Sequence, residues 1–240
     1  MKKPLIILTG PTAVGKTKLS ISLAQAVNGA IISADSMQVY RHMDIGSAKI
    51  RPEEMCGVPH YLIDVLDPSE EFHVVKFVEL AHEAMEKIYA AGQIPIVTGG
   101  TGFYIQALLK EVDFTESHGE LPIRKQLEEK AATEEGAAEL YRELSEVDPA
   151  SAETIHPNNV KRVIRALEYY HETGQKISEH NEEQKQKESP YCSAYFVLND
   201  ERSILYDRID RRVDQMICDG LVDEVFRLKE MGYTRDLVSM

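Results

Sequence analysis

Gly10-Pro11-Thr12-Ala13-Val14-Gly15-Lys16-Thr17 satisfies the spacing G-x-x-x-x-G-K-S/T at every specified position. Glycines at those two places let the backbone curl, so that successive N–H groups converge on phosphate oxygens. A helix starting at the end of the loop adds the partial positive charge of its first turn. Lys16 brings a mobile full charge, and the Thr17 hydroxyl is the candidate ligand for Mg²⁺. The pattern predicts a di- or triphosphate site and leaves open which compound carries the phosphates. A glycine-rich turn with a surface lysine is the plainer reading. The apolar run before the loop and the helical stretch after it argue against that.

A second chemical group is Asp35, in Ile31–Ser36 (IISADS), at the carboxyl end of a strand-like run. That edge is where doubly wound sheets collect ligands. Asp35 could hold Mg²⁺ through water, accept a proton from a nucleophile, or simply cap a turn with Ser36. Thr101, in Gly99-Gly100-Thr101-Gly102, occupies the turn after another strand, where its plainer use is as N-cap of a Phe103–Leu109 helix. Arg208 and Arg212 stand at i and i+4. They can point together at a diphosphate or pair with Asp207, Asp210 or Asp214 on their own helix. Lys161, Arg162 and Arg165 lie on a predicted helix with Lys161 and Arg165 on one face, although a solvated helix is the ordinary use of such residues. His156, His171 and His180 have no metal-ligand spacing and read as surface or capping residues.

These groups need a scaffold, and the hydrophobic pattern supplies an α/β one: a P-loop-containing parallel sheet covered by helices, with a mainly helical insertion domain. Pro4–Gly10, Ala30–Ser36, Tyr61–Val65 and Ile94–Gly100 read as buried strands. Helices are expected over Lys16–Val27 and from about Val74 to Ala91. From about Thr115 the valine-rich runs vanish, and helices are expected near Pro122–Glu134, Gly136–Val147 and Asn159–Thr173. Asn181–Ser189 (NEEQKQKES) reads as an exposed tip or linker. Tyr195–Leu198 then returns as a strand, followed by helices from about Arg202 to Met216 and Leu221 to Met231. The expected division is a core of residues 1–114 and 190–240 around an insertion of 115–189.

Composition narrows the functions. With 240 residues, 43% hydrophobic and 28% charged, the chain can bury one sizeable core. A net charge of −13 excludes a generic polyanion binder, so any nucleic-acid contact must be local. No run approaches the roughly 18 apolar residues of a membrane span. The apolar run in MKKPLIILTGPT is too short for a signal peptide, so no membrane partner and a cytoplasmic location are expected. Cys56, Cys192 and Cys218 are odd in number and far apart, which fits neither a disulfide framework nor a zinc site.

Five motifs in order then resemble one family. They are GPTAVGKT; Asp35–Ala48 (DSMQVYRHMDIGSA), completed by Lys49; Pro59–Pro68 (PHYLIDVLDP); Gly99–Phe103 (GGTGF); and His156–Leu167 (HPNNVKRVIRAL). Together they resemble the bacterial tRNA dimethylallyltransferases, or tRNA isopentenyltransferases, from residue 3 onward. The resemblance implies transfer of a dimethylallyl group from dimethylallyl diphosphate to the exocyclic amine of the adenosine 3′ of the anticodon. It implies a phosphate loop, Gly10 to Thr17, that holds the isoprenoid diphosphate although the motif also reads as an ATP site. It implies Asp35 as general base, with Asp35, Ser36, Met37 and Gln38 meeting the tRNA and Thr101 beside the reacting base. Arg124, Lys161, Arg162 and Arg165 fall in the part resembling the tRNA-grasping insertion, while Arg208 and Arg212 are candidates for the diphosphate. Mg²⁺ on Thr17 is the expected cofactor, the tRNA anticodon stem-loop and dimethylallyl diphosphate the expected partners, and a monomer the expected state. Tyr40, Phe103 and Tyr104 could line an isoprenoid pocket or pack the core. The resemblance also leads to the expectation of a further helical stretch beyond Met240.

The chemistry is compatible with that expectation. An adenine amine is a poor nucleophile that gains acidity as its new C–N bond forms, so a carboxylate is useful late in the step. Gln38 carries an amide able to form paired hydrogen bonds with a base edge. The insertion nonetheless has 10 basic against 17 acidic residues over 115–190, a net of −7, which limits how much of it can face RNA. A P-loop kinase and a non-catalytic RNA-binding module are the competing readings. Against the kinase, the segment after residue 115 lacks a dense arginine set for clamping phosphates.

Overall fold

In a computed structural model of the chain, which describes residues 2–111 and 122–239, the β-branched runs build one five-stranded sheet. Its strands are β1 (Lys3–Thr9), β2 (Gly29–Ser33), β3 (His60–Tyr61), β4 (Ile94–Gly99) and β5 (Tyr191–Val197). They run in the order β3-β2-β4-β1-β5, and every pairing is parallel. Side chains alternate across the sheet. Ile31 and Ile96 pack with Ala24 of helix α1 (Lys16–Val27) on one face. Ile32 and Val97 pack with Phe77, Ala81 and Ile88 of helix α2 (Val74–Ala90) on the other. Because every strand points the same way, the turns after β1, β2 and β4 gather on one edge. Those turns hold the phosphate loop, Asp35 and Thr101.

The chain divides into two compact units, Met1–Val112 with Ser189–Met240, and Asp113–Glu188. The expected boundary at 114/115 lies outside the described residues. The first unit also carries helices α3 (Gly102–Lys110), α9 (Arg202–Cys218) and α10 (Leu221–Glu230). The second is helical: α4 (Pro122–Lys130), α5 (Glu134–Val147), α6 (Pro149–Thr154), α7 (Val160–Thr173) and α8 (Ile177–Gln186). Its core joins Leu127, Leu140, Leu144, Val163, Ile164 and Leu167. Asp148, 1% exposed, starts α6 by accepting from the Ser151 amide at 3.1 Å and hydroxyl at 2.6 Å. It also accepts from the Ser178 amide at 3.0 Å and hydroxyl at 2.6 Å, tying the first turn of α8 to the same carboxylate. Burial pushes the Asp148 carboxyl up, but these hydrogen bonds outweigh it and hold the group below its ordinary value.

Two expectations about elements fail for physical reasons. Tyr61–Val65 is not a strand beyond Tyr61, since Leu62 and Asp64 take left-handed φ of 63° and 56°. The chain bends there and pairs with the segment after Asp35 instead. The Asp64 amide donates to the Gln38 carbonyl at 3.2 Å, Val65 to Val39 at 2.9 Å, and Arg41 to Leu66 at 2.9 Å. Asn181–Gln186, expected in a tip or linker, forms the second half of α8, in which Gln184 is 8% exposed. Among the described residues no helix is long and apolar enough to cross a membrane.

Candidate active site

The phosphate loop leaves β1 and ends on α1. Gly15 is the N-cap of that helix with φ of 98°, a conformation that L side chains rarely adopt. Ala13 is left-handed too, at φ 63°. Pro11, Thr12 and Thr17 are exposed, whereas Ala13, Val14 and Lys16 are half-buried. Lys16 Nζ lies back across the loop and donates to the carbonyls of Gly10 and Pro11, at 2.7 Å each. Burial lowers the pKa of this ammonium; the Asp35 carboxylate opposes the shift and the Arg212 guanidinium adds to it. Lys16 therefore feels both the strand-end acid and the arginine of α9. The second arginine also reaches the loop, since Arg208 Nη1 donates to the Ala13 carbonyl at 3.5 Å. Its carboxylate partner is Asp200, at 2.9 Å in the turn after β5, rather than an aspartate of its own helix. A groove of about 880 Å³ opens beside Thr17 and Arg212, with Ile21, Ile45, Ile50 and Met216 in its wall.

Asp35 serves the turn-capping use directly. Its Oδ1 accepts from the Met37 amide at 2.9 Å and the Gln38 amide at 3.3 Å, closing a tight turn. Both bonds fall on one oxygen, so the turn does not consume the other. Thr101 occupies the N-cap position of α3, yet its hydroxyl makes no capping bond. The Ala34 amide donates to the Thr98 carbonyl at 2.8 Å, carrying the β2–β4 pairing to the edge where both turns begin. Ser36, Met37 and Gln38 are half-buried. Gln38 is held at both ends of its amide: Ser33 Oγ donates to Oε1 at 3.2 Å, and Nε2 donates to the Ser47 and Ala48 carbonyls at 3.4 and 3.5 Å.

Two groups in this unit are given no role by a reading of the sequence. Lys49, its side chain 4% exposed, donates to the Tyr40 carbonyl at 2.7 Å and pairs with Asp44 and Asp64. Glu224 of α10, 3% exposed, receives the amides of Asp44, Ile45 and Gly46. Lys49 closes a quoted motif and could have been suspected. Nothing local marks Glu224, whose partners are 178 to 180 positions away.

The nominated residues of the helical unit divide. Arg124 and Arg165 converge on one carboxylate oxygen of Glu168, at 3.4 and 2.9 Å, and the Glu168 side chain is only 1% exposed. Arg124 also meets Glu128 at 3.0 Å. Lys161 and Arg162 are exposed, so Lys161 and Arg165 face different surroundings despite their i, i+4 spacing. His171 pairs with Glu143 at 2.9 Å, His156 caps the Asn158 amide, and the His180 ring lies 5.2 Å from that of Tyr169. Among the described residues no three His, Cys, Asp or Glu side chains are grouped to hold a metal. Tyr40 and Tyr104 are core residues packed around Phe72 and Phe77, while Phe103 is 60% exposed.

A family model described as IPP transferase matches residues 38–240. A tRNA dimethylallyltransferase of Lachnoclostridium phytofermentans is 65% identical, over 99% of this chain and 76% of its own length. The chain belongs to the IPP transferase family. A second tRNA dimethylallyltransferase, from Bacillus licheniformis, is 52% identical over 93% of this chain and 71% of its own. Solved structures agree with this chain in fold. The full-length tRNA isopentenylpyrophosphate transferase of Bacillus halodurans aligns with a TM-score of 0.69 and 46% identity, over all of this chain and 73% of that one. A eukaryotic dimethylallyltransferase acting on tRNA aligns at 0.82 with 38% identity, over 95% of this chain and 56% of its own.

Proposed function

We propose that this chain moves the dimethylallyl group of dimethylallyl diphosphate onto the N6 amine of the adenosine 3′-adjacent to the anticodon in tRNA, releasing diphosphate. One observation carries the reading. Three adjoining parallel strands deliver a phosphate loop, a carboxylate and a hydroxyl free of capping to one sheet edge, with Lys16 under the influence of Asp35. A new bond forms between the allylic carbon and N6 as the bond from that carbon to the diphosphate oxygen breaks. The amine proton passes to Asp35, and the electron pair leaves with the diphosphate. The loop amides, Lys16 and the guanidinium groups of Arg208 and Arg212 stabilise that departing charge. Thr101 and Gln38 hold the adenosine. A base in a single-stranded loop can be turned out to reach them.

A magnesium ion suits these residues. The donors at hand are hard oxygens, the Thr17 hydroxyl and the strand-end carboxylate, and Mg²⁺ is ordinarily held by few protein ligands together with substrate phosphate. Thr17 would hold it, and bound there it would neutralise charge on the diphosphate. We further place the enzyme in the cytoplasm as a monomer. A kinase is set aside because the matched relatives are dimethylallyl transferases.

The test is label transfer from radioactive dimethylallyl diphosphate to an anticodon stem-loop, with labelled ATP as the parallel donor. Label entering RNA from the isoprenoid alone upholds the reading. ATP turnover without prenylated RNA overturns it.

A further inference from the structure

Glu224 is a charged residue 3% exposed on a helix whose neighbouring positions Val222, Val225 and Phe226 face solvent. Its carboxylate is met by backbone alone among the contacts described: the Asp44 and Ile45 amides donate to Oε2 at 2.8 Å each, and the Gly46 amide donates to Oε1 at 2.9 Å. Three consecutive N–H groups around one anion form a concave nest, and such charge-assisted bonds are roughly twice as strong as neutral ones. At Gly46 a Cβ would be in ordinary contact with Glu224 Oε1, at 3.5 Å, and would press on Leu221 Cδ1 at 3.2 Å.

The pinned segment runs directly into Ser47 and Ala48, whose carbonyls hold Gln38 Nε2. Those two bonds are long, at 3.4 and 3.5 Å, so each is weak alone, and only together with the Ser33 bond do they set which way the amide faces. The Ser33 hydroxyl, on a residue 5% exposed, fixes the oxygen end. We propose that Glu224 is a positioning residue for Gln38. Through the 44–48 segment it presents the glutamine amide to the incoming adenosine with donor and acceptor in one fixed order. A base edge is read by that order, so a swung or flipped amide misreads it. This rests on the adenosine prenylation proposed above.

Glu224→Gln keeps the shape, removes the charge, and turns an NH2 group onto at least one backbone N–H. Hydrogen exchange at amides 44–46 is the first readout and requires no activity. It should quicken in the variant while β4 and α2 keep their protection. In the transfer assay kcat/KM for the stem-loop should fall roughly 10- to 100-fold, the scale of a misplaced positioning group. The Kd for dimethylallyl diphosphate should stay within about twofold, since the phosphate loop is untouched. Placed in a Gln38→Ala background, Glu224→Gln should cause no further loss. Glu224→Asp keeps the charge but withdraws it by one methylene. It should show the same pattern more weakly, and it carries the test if the glutamine variant does not fold. Unchanged exchange at 44–46, additive losses with Gln38→Ala, or weakened diphosphate binding with general loss of protection would each overturn the proposal. An inactive wild type would overturn the prenylation reading instead, leaving the exchange result to stand or fall separately.

Discussion

Glu168 in the helical unit and Glu224 in the sheet unit are both shut away from water, and they are met in opposite ways: both Glu168 contacts fall on Oε2 and leave Oε1 without a hydrogen bond, while both oxygens of Glu224 accept. Glu168 draws the side chains of Arg124 and Arg165 down onto the helices, whereas Glu224 collects the main-chain amides of one loop. Arginines spent on an interior carboxylate stabilise packing. Amides spent on one shape a loop, and that loop leads to a residue of the site. The same chemical group thus serves architecture in one unit and placement of function in the other. Single changes at the sheet edge should therefore remove chemistry and leave folding intact, while single changes beneath the helical unit should do the reverse.

The sharpest test of the first half is Asp35→Asn. The amide oxygen can still accept from Met37 and Gln38, so the turn survives while the proton acceptor is lost. Prenyl transfer should fall about 10²- to 10⁴-fold, the range for loss of a general base. Calorimetric affinity for dimethylallyl diphosphate and the unfolding midpoint should stay close to wild type. A variant that transfers normally would remove Asp35 from the chemistry.

The second half is tested by Arg165→Ala. Glu168 then keeps only the longer contact to Arg124, and a buried carboxylate is left underpaired. Denaturant unfolding should show the protein less stable by about 1–3 kcal/mol, the ordinary effect of stranding a buried polar group. Stem-loop affinity of the folded fraction should change little. Weaker RNA binding at an unchanged midpoint would break the comparison and return Arg165 to the RNA surface.

How much of this was legible beforehand depended on sequence distance. The phosphate loop, the strand-end acid and the parallel sheet are local patterns, and each lies where its residues predict. Long-range contacts are not legible in that way: Glu168 draws Arg124 from another helix of its own unit, and Glu224 reaches back across most of the chain. A stripe of charge at helical spacing looks the same whether it faces solvent or an interior acid, so Lys161 and Arg165 were indistinguishable from sequence. The shortness of β3 was hidden for another reason. Leu62 and Asp64 adopt left-handed φ, a conformation that leucine does not advertise and that aspartate tolerates without requiring.

Asp148 offers a pH-dependent version of the same contrast. Its folded-state pKa lies below the ordinary 3.8, so the unfolded chain binds this proton more readily. The stability it contributes is complete above about pH 4 and is lost as pH falls through the lower folded value. Asp148→Asn should therefore be less stable than wild type by about 1 kcal/mol at pH 7. The gap should narrow in melts taken below pH 4. A constant gap from pH 7 to pH 3 would show that the carboxylate charge contributes nothing to the join between α6 and α8.

The smallest expected effect separates Lys161 and Arg162 from the arginines beside them. Both are exposed at the start of α7, and neither is needed to cover Glu168. If they contact the phosphate backbone, they act by displacing counterions. Lys161→Ala should then lower stem-loop affinity a few-fold and reduce the slope of log affinity against log salt by about 1. The unfolding midpoint should not move, because an exposed lysine contributes little to packing. Arg165→Ala, measured alongside, should give the opposite pair of results: a lower midpoint and an unchanged salt slope. Two residues one helical turn apart would then be separated by what lies beneath them, which is the distinction drawn between the buried glutamates. Should both variants lose slope equally, the ion pair with Glu168 must open when RNA binds, and the buried acid of the helical unit would act as a latch for its arginines.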